Sequence, residues 1–229
     1  MATLVDLSKK VQVTLEKRNA PVIKLRVGFA ADVSGSAKGL YDSGLMQEIT
    51  NRLQAMAIKF DDDGQLDMWA FDDKCIPLPA AISKDFNTYV HNNIMDLPNI
   101  WNGTLFTPVL DAMKAFYFGR TGVKGLFSMF TKSAAPSTDP VYLVLETDGE
   151  NNDEELAEAL ISSLAEKPVY LQLIGVGMAN FKFLRRMSNR YDHVGFMDMS
   201  NPGKVSDEQM FDSLISEELL AWYKRVTQK

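Results

Sequence analysis

Hydrophobic positions along this chain switch repeatedly between two periods. Short runs of nearly continuous apolar residues read as buried strands: Val22 to Ala31, Val141 to Thr147 and Val169 to Val176. Gln65 to Phe71 and Lys74 to Leu78 read as two further strands. They are separated only by the Asp72-Asp73 turn, which predicts a hairpin with the second strand antiparallel at the sheet edge. His193 to Met197 is a short last strand. Between the strands the spacing becomes helical. Leu45, Met46, Ile49, Leu53, Met56, Ala57 and Phe60 mark one helix across Tyr41 to Phe60. Further helices are expected over Phe86 to Met95, Pro108 to Phe118, Asn152 to Glu166, Phe181 to Arg190 and Ser206 to Val226. Pro108 suits a first helical turn, and Ser206 with Gln209 has capping-box spacing.

Alternation of this kind predicts an α/β fold: one doubly wound, mainly parallel six-stranded sheet with one antiparallel edge strand and helices on both faces. Residues 21–229 form the predicted domain. Residues 1–20 alternate weakly at Val11, Val13 and Leu15 and are expected to be a short edge strand or a loose arm. Gly119 to Pro140 is rich in small and polar residues yet holds Leu126, Phe127, Met129 and Phe130. It is longer than most connections and is expected to be a long, mobile loop, 119–140.

Composition narrows the function. The 229 residues have an ordinary globular balance, 46% apolar and 24% charged, so a packed core is expected. A net charge of −6 argues against nucleic acid as a partner; Lys182, Arg185, Arg186 and Arg190 read as a solvated helix face. Cys75 is the single cysteine, and His91 and His193 are the only histidines, so a Cys/His zinc site is not expected. Neither a signal-peptide core nor an apolar run long enough to span a membrane is apparent, and a cytoplasmic setting is expected. The sequence does not fix the oligomeric state.

The chemistry concentrates at predicted strand ends. Asp32-Val33-Ser34-Gly35-Ser36 follows the first strand and Asp148-Gly149-Glu150 follows the strand Val141 to Thr147. Asn102-Gly103-Thr104 precedes the helix at Pro108. In an open parallel sheet, ligands bind at the carboxyl ends of the strands where the strand order reverses. Carboxylates and hydroxyls converging there suit a hard divalent cation. Each piece also has a plainer reading: Ser34, Ser36 and Thr104 as helix caps, and Asp148-Gly149 as a turn. The Asp61-Asp62-Asp63-Gly64 turn lacks EF-hand spacing and reads as a solvated turn.

The ordered set Asp32-x-Ser34-x-Ser36, Thr104 and Asp148-Gly149 resembles the metal-ion-dependent adhesion site (MIDAS) of von Willebrand factor A (vWA) domains. Several segments resemble the bacterial TerF-like group of tellurium-resistance and stress operons. They are Leu25 to Ser36, Asp61 to Gly64, Trp69 to Phe71, Gly103-Thr104-x-Phe106-x-Pro108-Val109 and Thr147-Asp148-Gly149. The resemblance covers nearly the whole chain. It departs in the longer 119–140 segment, in Ala30-Ala31 before the metal loop, and in having no room for the TerD-type domain often present in that group.

The resemblance implies that Asp32, Ser34, Ser36, Thr104 and Asp148 surround one Mg2+, with Mn2+ or Ca2+ as alternatives. It also implies a role as a metal-dependent protein-binding module whose protein partner supplies an Asp or Glu. Two other readings stand beside it, a metal-dependent phosphoester hydrolase and a metal-independent scaffold. An enzyme is not the expected reading, because no nucleophile or near-neutral base lies in the three loops, and no Gly-x-Ser-x-Gly elbow or phosphate-binding glycine loop is present.

Overall fold

A computed structural model describes residues 2–119 and 137–228. The long-loop expectation for 119–140, with its apolar cluster Leu126 to Phe130, therefore lies almost wholly outside the described residues. Six strands form one sheet: β1 (Arg26–Asp32), β2 (Leu66–Phe71), β3 (Cys75–Ala81), β4 (Val141–Thr147), β5 (Val169–Val176) and β6 (Val194–Met199). Their spatial order is β3-β2-β1-β4-β5-β6. β3 pairs antiparallel with β2 at one edge, and every other pairing is parallel. The predicted fold class is the observed one. Every residue of β4 and β5 is buried, which is why their sequences run apolar without alternation.

The helices are α1 (Leu4–Lys17), α2 (Lys38–Asp42), α3 (Leu45–Phe60), α4 (Tyr89–Asn93), α5 (Thr107–Phe118), α6 (Glu154–Leu164), α7 (Lys182–Arg190), α8 (Asp207–Leu214) and α9 (Glu217–Thr227). One face of the sheet packs against α1, α3, α8 and α9 through a core containing Phe29, Tyr142, Tyr170 and Trp222. The other packs against α5, α6 and α7 through Trp69, Phe106, Leu171 and Phe183. None of the helices among the described residues is long and apolar enough to cross a membrane.

The N-terminal segment is a helix, not an edge strand or loose arm. Its buried positions are Leu7, Val11 and Thr14, at helical spacing, while Val13 points outward. Thr3 and Asp6 close a capping box at its start. The helix expected from Tyr41 to Phe60 is two helices, broken at Gly44, whose φ of +80° is left-handed. The expected last helix is also two, because Ser216 caps a new start after Ile215. The helix expected over Phe86 to Met95 shrinks to a single turn, α4, and the first strand begins at Arg26 rather than Val22. Ser206 and Gln209 do form the predicted capping box of α8.

The strand order reverses on either side of β1, with β2 on one flank and β4 on the other. The carboxyl ends of β1 and β4 thus lie side by side at the switch point, where such sheets open a crevice.

Candidate metal centre

Asp32 is the last residue of β1 and is fully buried. Its Oδ1 accepts the Ser34 backbone N–H at 2.7 Å, which folds the loop back over the strand end. Ser34 and Ser36 hydroxyls lie 3.2 Å apart, and Ser36 Oγ donates to Asp148 Oδ1 at 2.9 Å. Thr147 Oγ1, at the end of β4, donates to Asp32 Oδ2 at 2.6 Å. Four of the five predicted residues, Asp32, Ser34, Ser36 and Asp148, therefore share one hydrogen-bonded cluster across the β1 and β4 ends. The two serines cap nothing: α2 begins after Ala37 with no side-chain cap.

Thr104 joins through its backbone. The loop carrying it is zipped onto the metal loop by Trp101 N–H to Val33 O and Gly35 N–H to Asn102 O, both 2.9 Å. Thr104 O accepts the Asn152 N–H at 3.0 Å from the loop after β4, and Thr104 is buried. It does not cap α5. That cap comes from Asp153, whose carboxylate accepts the N–H groups of Phe106 and Thr107 at 3.0 and 2.7 Å.

Several residues that hold the site carry no signal in the sequence. Buried Asp72 accepts from Asn102 N–H at 3.3 Å and from Asn102 Nδ2 at 2.8 Å, while its carbonyl accepts the Leu105 N–H at 2.9 Å. Tyr41 donates its hydroxyl to Asp32 O at 2.8 Å. Glu146, inside β4, is fully buried, and its Oε2 accepts the Asp32 N–H at 3.3 Å. Asp72 sits in a turn where acids are expected to be solvated, Asp153 at the start of an expected helix where acids are ordinary, and Glu146 in a run that otherwise reads as core. Trp101 has a φ of +74°, rare for a bulky residue, and stacks edge-on against Tyr41 with centroids 5.3 Å apart.

Electrostatically the site is starved of positive charge. Burial pushes the Asp32 carboxyl up to about 6 against the opposing bonds from Thr147 and Ser34. Burial also raises Asp148, opposed by its Ser36 bond, and drives Glu146 well up, with the Asp32 charge adding to the effect. Among the described residues, no Lys, Arg or His forms an ion pair with any of the three. Nor do the described residues offer a cage of three or more Asp, Glu, His or Cys side chains. The donor set is instead carboxylate plus hydroxyl, all oxygen, and fits a hard divalent cation.

The remaining candidates lie elsewhere. His193, at the opposite end of the sheet, is buried with Nε2 3.0 Å from Ile161 O, and burial lowers its pKa; His91 is exposed. Glu150 Oε1 is held by the Lys182 N–H at 3.0 Å. The basic face of α7 is paired: Arg185 with Asp198, Arg186 with Glu154 at 2.6 Å and Arg190 with Glu158 at 2.5 Å. The Gly175 to Gly177 turn serves packing, because a Cβ on Gly175 would lie 2.7 Å from the Phe181 ring.

A family model described as the vWA found in the TerF C terminus matches residues 24–229. An uncharacterised Bacillus subtilis protein, YcbR, is 29% identical across the whole of this chain and 90% of its own length. Among solved structures, proximal thread matrix protein 1 of the mussel byssus aligns with a TM-score of 0.59 at 16% identity, over 87% of this chain and 48% of that one. The chain thus spans about half the length of that mussel protein. Another crystal structure of the same mussel protein, with a zinc-occupied MIDAS motif, aligns at 0.57 and 18% identity, over 85% of this chain and 46% of that one. An aerotolerance-related membrane protein of Bacteroides fragilis aligns at 0.54 and 14% identity, over 85% of this chain and 98% of that one. At these identities the structural likeness concerns the fold.

Proposed function

The chain belongs to the TerF-like vWA family, and from that premise we propose that it is a metal-dependent protein-binding module. The observation that carries this reading is the hydrogen-bonded cluster Asp32–Ser34–Ser36–Asp148 at the switch point, running from buried Asp32 and Ser34 out to exposed Ser36 and half-buried Asp148, with no basic side chain to balance it. In the proposed site Asp32 and Asp148 supply negative charge, and the hydroxyls of Ser34, Ser36 and Thr104 supply neutral oxygen donors. Mg2+ is the proposed ion, with Mn2+ and Ca2+ as alternatives; the zinc in the mussel structure supports a divalent cation at a site of this type. When bound, such an ion offers an exchangeable position to a carboxylate oxygen.

The residues of this chain do the rest. Asp32 is locked by Thr147 and by the Ser34 N–H, and Ser36 is locked by Asp148, so the donors are arranged before an ion arrives. Few side chains then need ordering on binding, which favours affinity. The proposed partner is a protein that presents an Asp or Glu to this crevice. The family's name carries the further proposal of a role in bacterial tellurium resistance or stress response.

Titration of the purified chain with Mn2+, following the free ion by electron paramagnetic resonance and competing with Mg2+, tests the ion. Saturable binding that is lost in folded Asp32→Ala and Asp148→Ala is the expected result. Capture of cell proteins by the wild-type chain, lost in EDTA and in both variants, tests the partner. Equal capture with and without EDTA would favour a scaffold that needs no ion. Tellurite sensitivity of a strain carrying only Asp32→Ala tests the cellular role.

A further inference from the structure

We propose that Glu146 is a positioning residue that holds the metal loop from inside the core. The inference rests on the ion-binding reading above. β4 is a strand of seven residues, all buried, and Glu146 is its one ionisable side chain other than tyrosine. Alternation along the strand puts Glu146 on the same face as Tyr142 and Val144, which belong to the core beneath α3 and α8. A carboxyl group is a costly occupant of such a position. Its Oε1 has no hydrogen-bond partner, and no basic side chain among the described residues pairs with it. Nothing about packing calls for Glu here, since an apolar residue of similar volume would fill the space without that cost.

Its use is at the strand end. The β1–β4 register stops with Ala31 opposite Glu146, so Asp32 lies one residue past that ladder. On the other flank Asp32 still faces Phe71 of β2, and Val33 N–H bonds Phe71 O. The Asp32 N–H bonds the Glu146 carboxyl oxygen Oε2 instead of a strand carbonyl. Tyr41 holds the Asp32 carbonyl, and Thr147 and the Ser34 N–H hold its carboxylate. With Glu146 in place, every polar group of Asp32 that these contacts reach is fixed. Without it the backbone N–H at the root of the metal loop loses its acceptor, and the carboxylate loses its fixed starting point.

An acceptor role separates this idea from a merely structural one, because ion affinity then falls without a matching fall in stability. The test compares the full chain with Glu146→Gln and Glu146→Leu at one pH, by Mn2+ titration with Mg2+ competition and by thermal melting in EDTA. Glu146→Gln keeps a side-chain carbonyl as acceptor and is expected to bind within about threefold of wild type. Glu146→Leu is expected to melt near the wild-type temperature, because removing the buried carboxyl offsets the cost of the Asp32 N–H left without an acceptor, yet to bind about tenfold or more weakly, the scale on which residues behind metal ligands act. If Glu146→Leu does not fold, Glu146→Met gives the same comparison. Wild-type affinity in the folded apolar variant overturns the inference alone. Equal loss in Glu146→Gln and the apolar variant also overturns it, since charge rather than the acceptor would then matter. A wild-type chain that binds neither ion overturns this inference together with the proposed function.

Discussion

Lys10 and Asp207 meet at 2.8 Å although 197 positions separate them in the chain. The other oxygen of the same carboxylate accepts from Arg52 Nε at 2.8 Å. One side chain thus ties α1, α3 and α8 together over one face of the sheet. Lys10 also reaches Glu208 at 3.0 Å, and Arg18 donates to Asp212 O and Glu217. The family match begins at residue 24, so α1 is an addition to the matched region, anchored by ion pairs as well as by Leu7 and Val11.

Asp207→Ala is expected to lower stability by about 1–3 kcal/mol, because it strips two partly buried cations of their shared acceptor. Burial works to raise the Asp207 pKa, but the bonds from Lys10 and Arg52 outweigh it and hold the carboxyl below its usual range. A carboxyl depressed in the folded state stabilises fully above its unfolded pKa, and that contribution is lost as pH falls through the folded value. The gap between wild type and Asp207→Asn in urea unfolding should therefore be constant near neutrality and close below about pH 4. A gap of the same size at pH 3 would refute the ion-pair account.

Asp61 behaves in the opposite sense. Burial, with Asp63 adding its charge, pushes its carboxyl up to about 6. A raised carboxyl binds its proton more tightly in the folded state, so its unfavourable effect is present above about pH 6 and absent below the unfolded value near 4. Asp61→Asn is expected to stabilise the chain at pH 7.5 by about 1 kcal/mol, allowing for solvent screening of a half-exposed group. The gain should vanish by pH 4. Melting curves at the two pH values decide it, and a gain that persists at pH 4 would point to packing rather than charge.

The readable and unreadable parts of this chain divide along physical lines. β4 and β5 were legible because a strand buried on both faces must be apolar throughout, and the metal loops because oxygen donors recur just past strand ends. α1 was not. Val11, Val13 and Leu15 alternate as a strand would, and polar Thr14 occupies the buried face that a helical reading needs. Gly44 and Ser216 each divide an apolar period that runs on across the break. Trp101 and Phe181 adopt positive φ that local preference disfavours, so only tertiary contacts dictate it. Asp72, Glu146 and Asp153 act through partners from 30 to 114 residues away, a distance over which no spacing rule operates.

Gly35 allows a close approach that a side chain would obstruct. A Cβ there would lie 3.2 Å from Trp101 O, a backbone atom of the loop that carries Thr104. Because Trp101 N–H and Asn102 O are themselves bonded to Val33 and Gly35, that carbonyl has little room to retreat. Gly35→Ala is expected to cost about 1 kcal/mol and to weaken Mn2+ binding by spreading the two loops. Gly39 is the control. It lies in α2 with open space where a Cβ would go, so Gly39→Ala should be neutral or stabilise by about 0.5 kcal/mol. Equal ion affinity in both variants would show that loop spacing does not govern the site.

Asp153 is expected to influence ion binding through Thr104. Its carboxylate bonds the N–H groups of Phe106 and Thr107 and accepts from Asn151 Nδ2 at 2.9 Å. The neighbouring Asn152 N–H bonds Thr104 O. From the other side Asp72 holds Asn102 and Leu105, so Thr104 stands in a segment pinned at both ends. Asp153→Ala removes the only side-chain cap of α5 among the described contacts and should lower stability by about 1–2 kcal/mol. It should also weaken Mn2+ binding, because the freed segment no longer presents the Thr104 hydroxyl at a fixed place. A double-mutant cycle isolates that route. If Asp153 acts through Thr104, Thr104→Ala with Asp153→Ala should bind no worse than Thr104→Ala alone. Fully additive losses in affinity would show instead that Asp153 reaches the site by a path that does not run through Thr104.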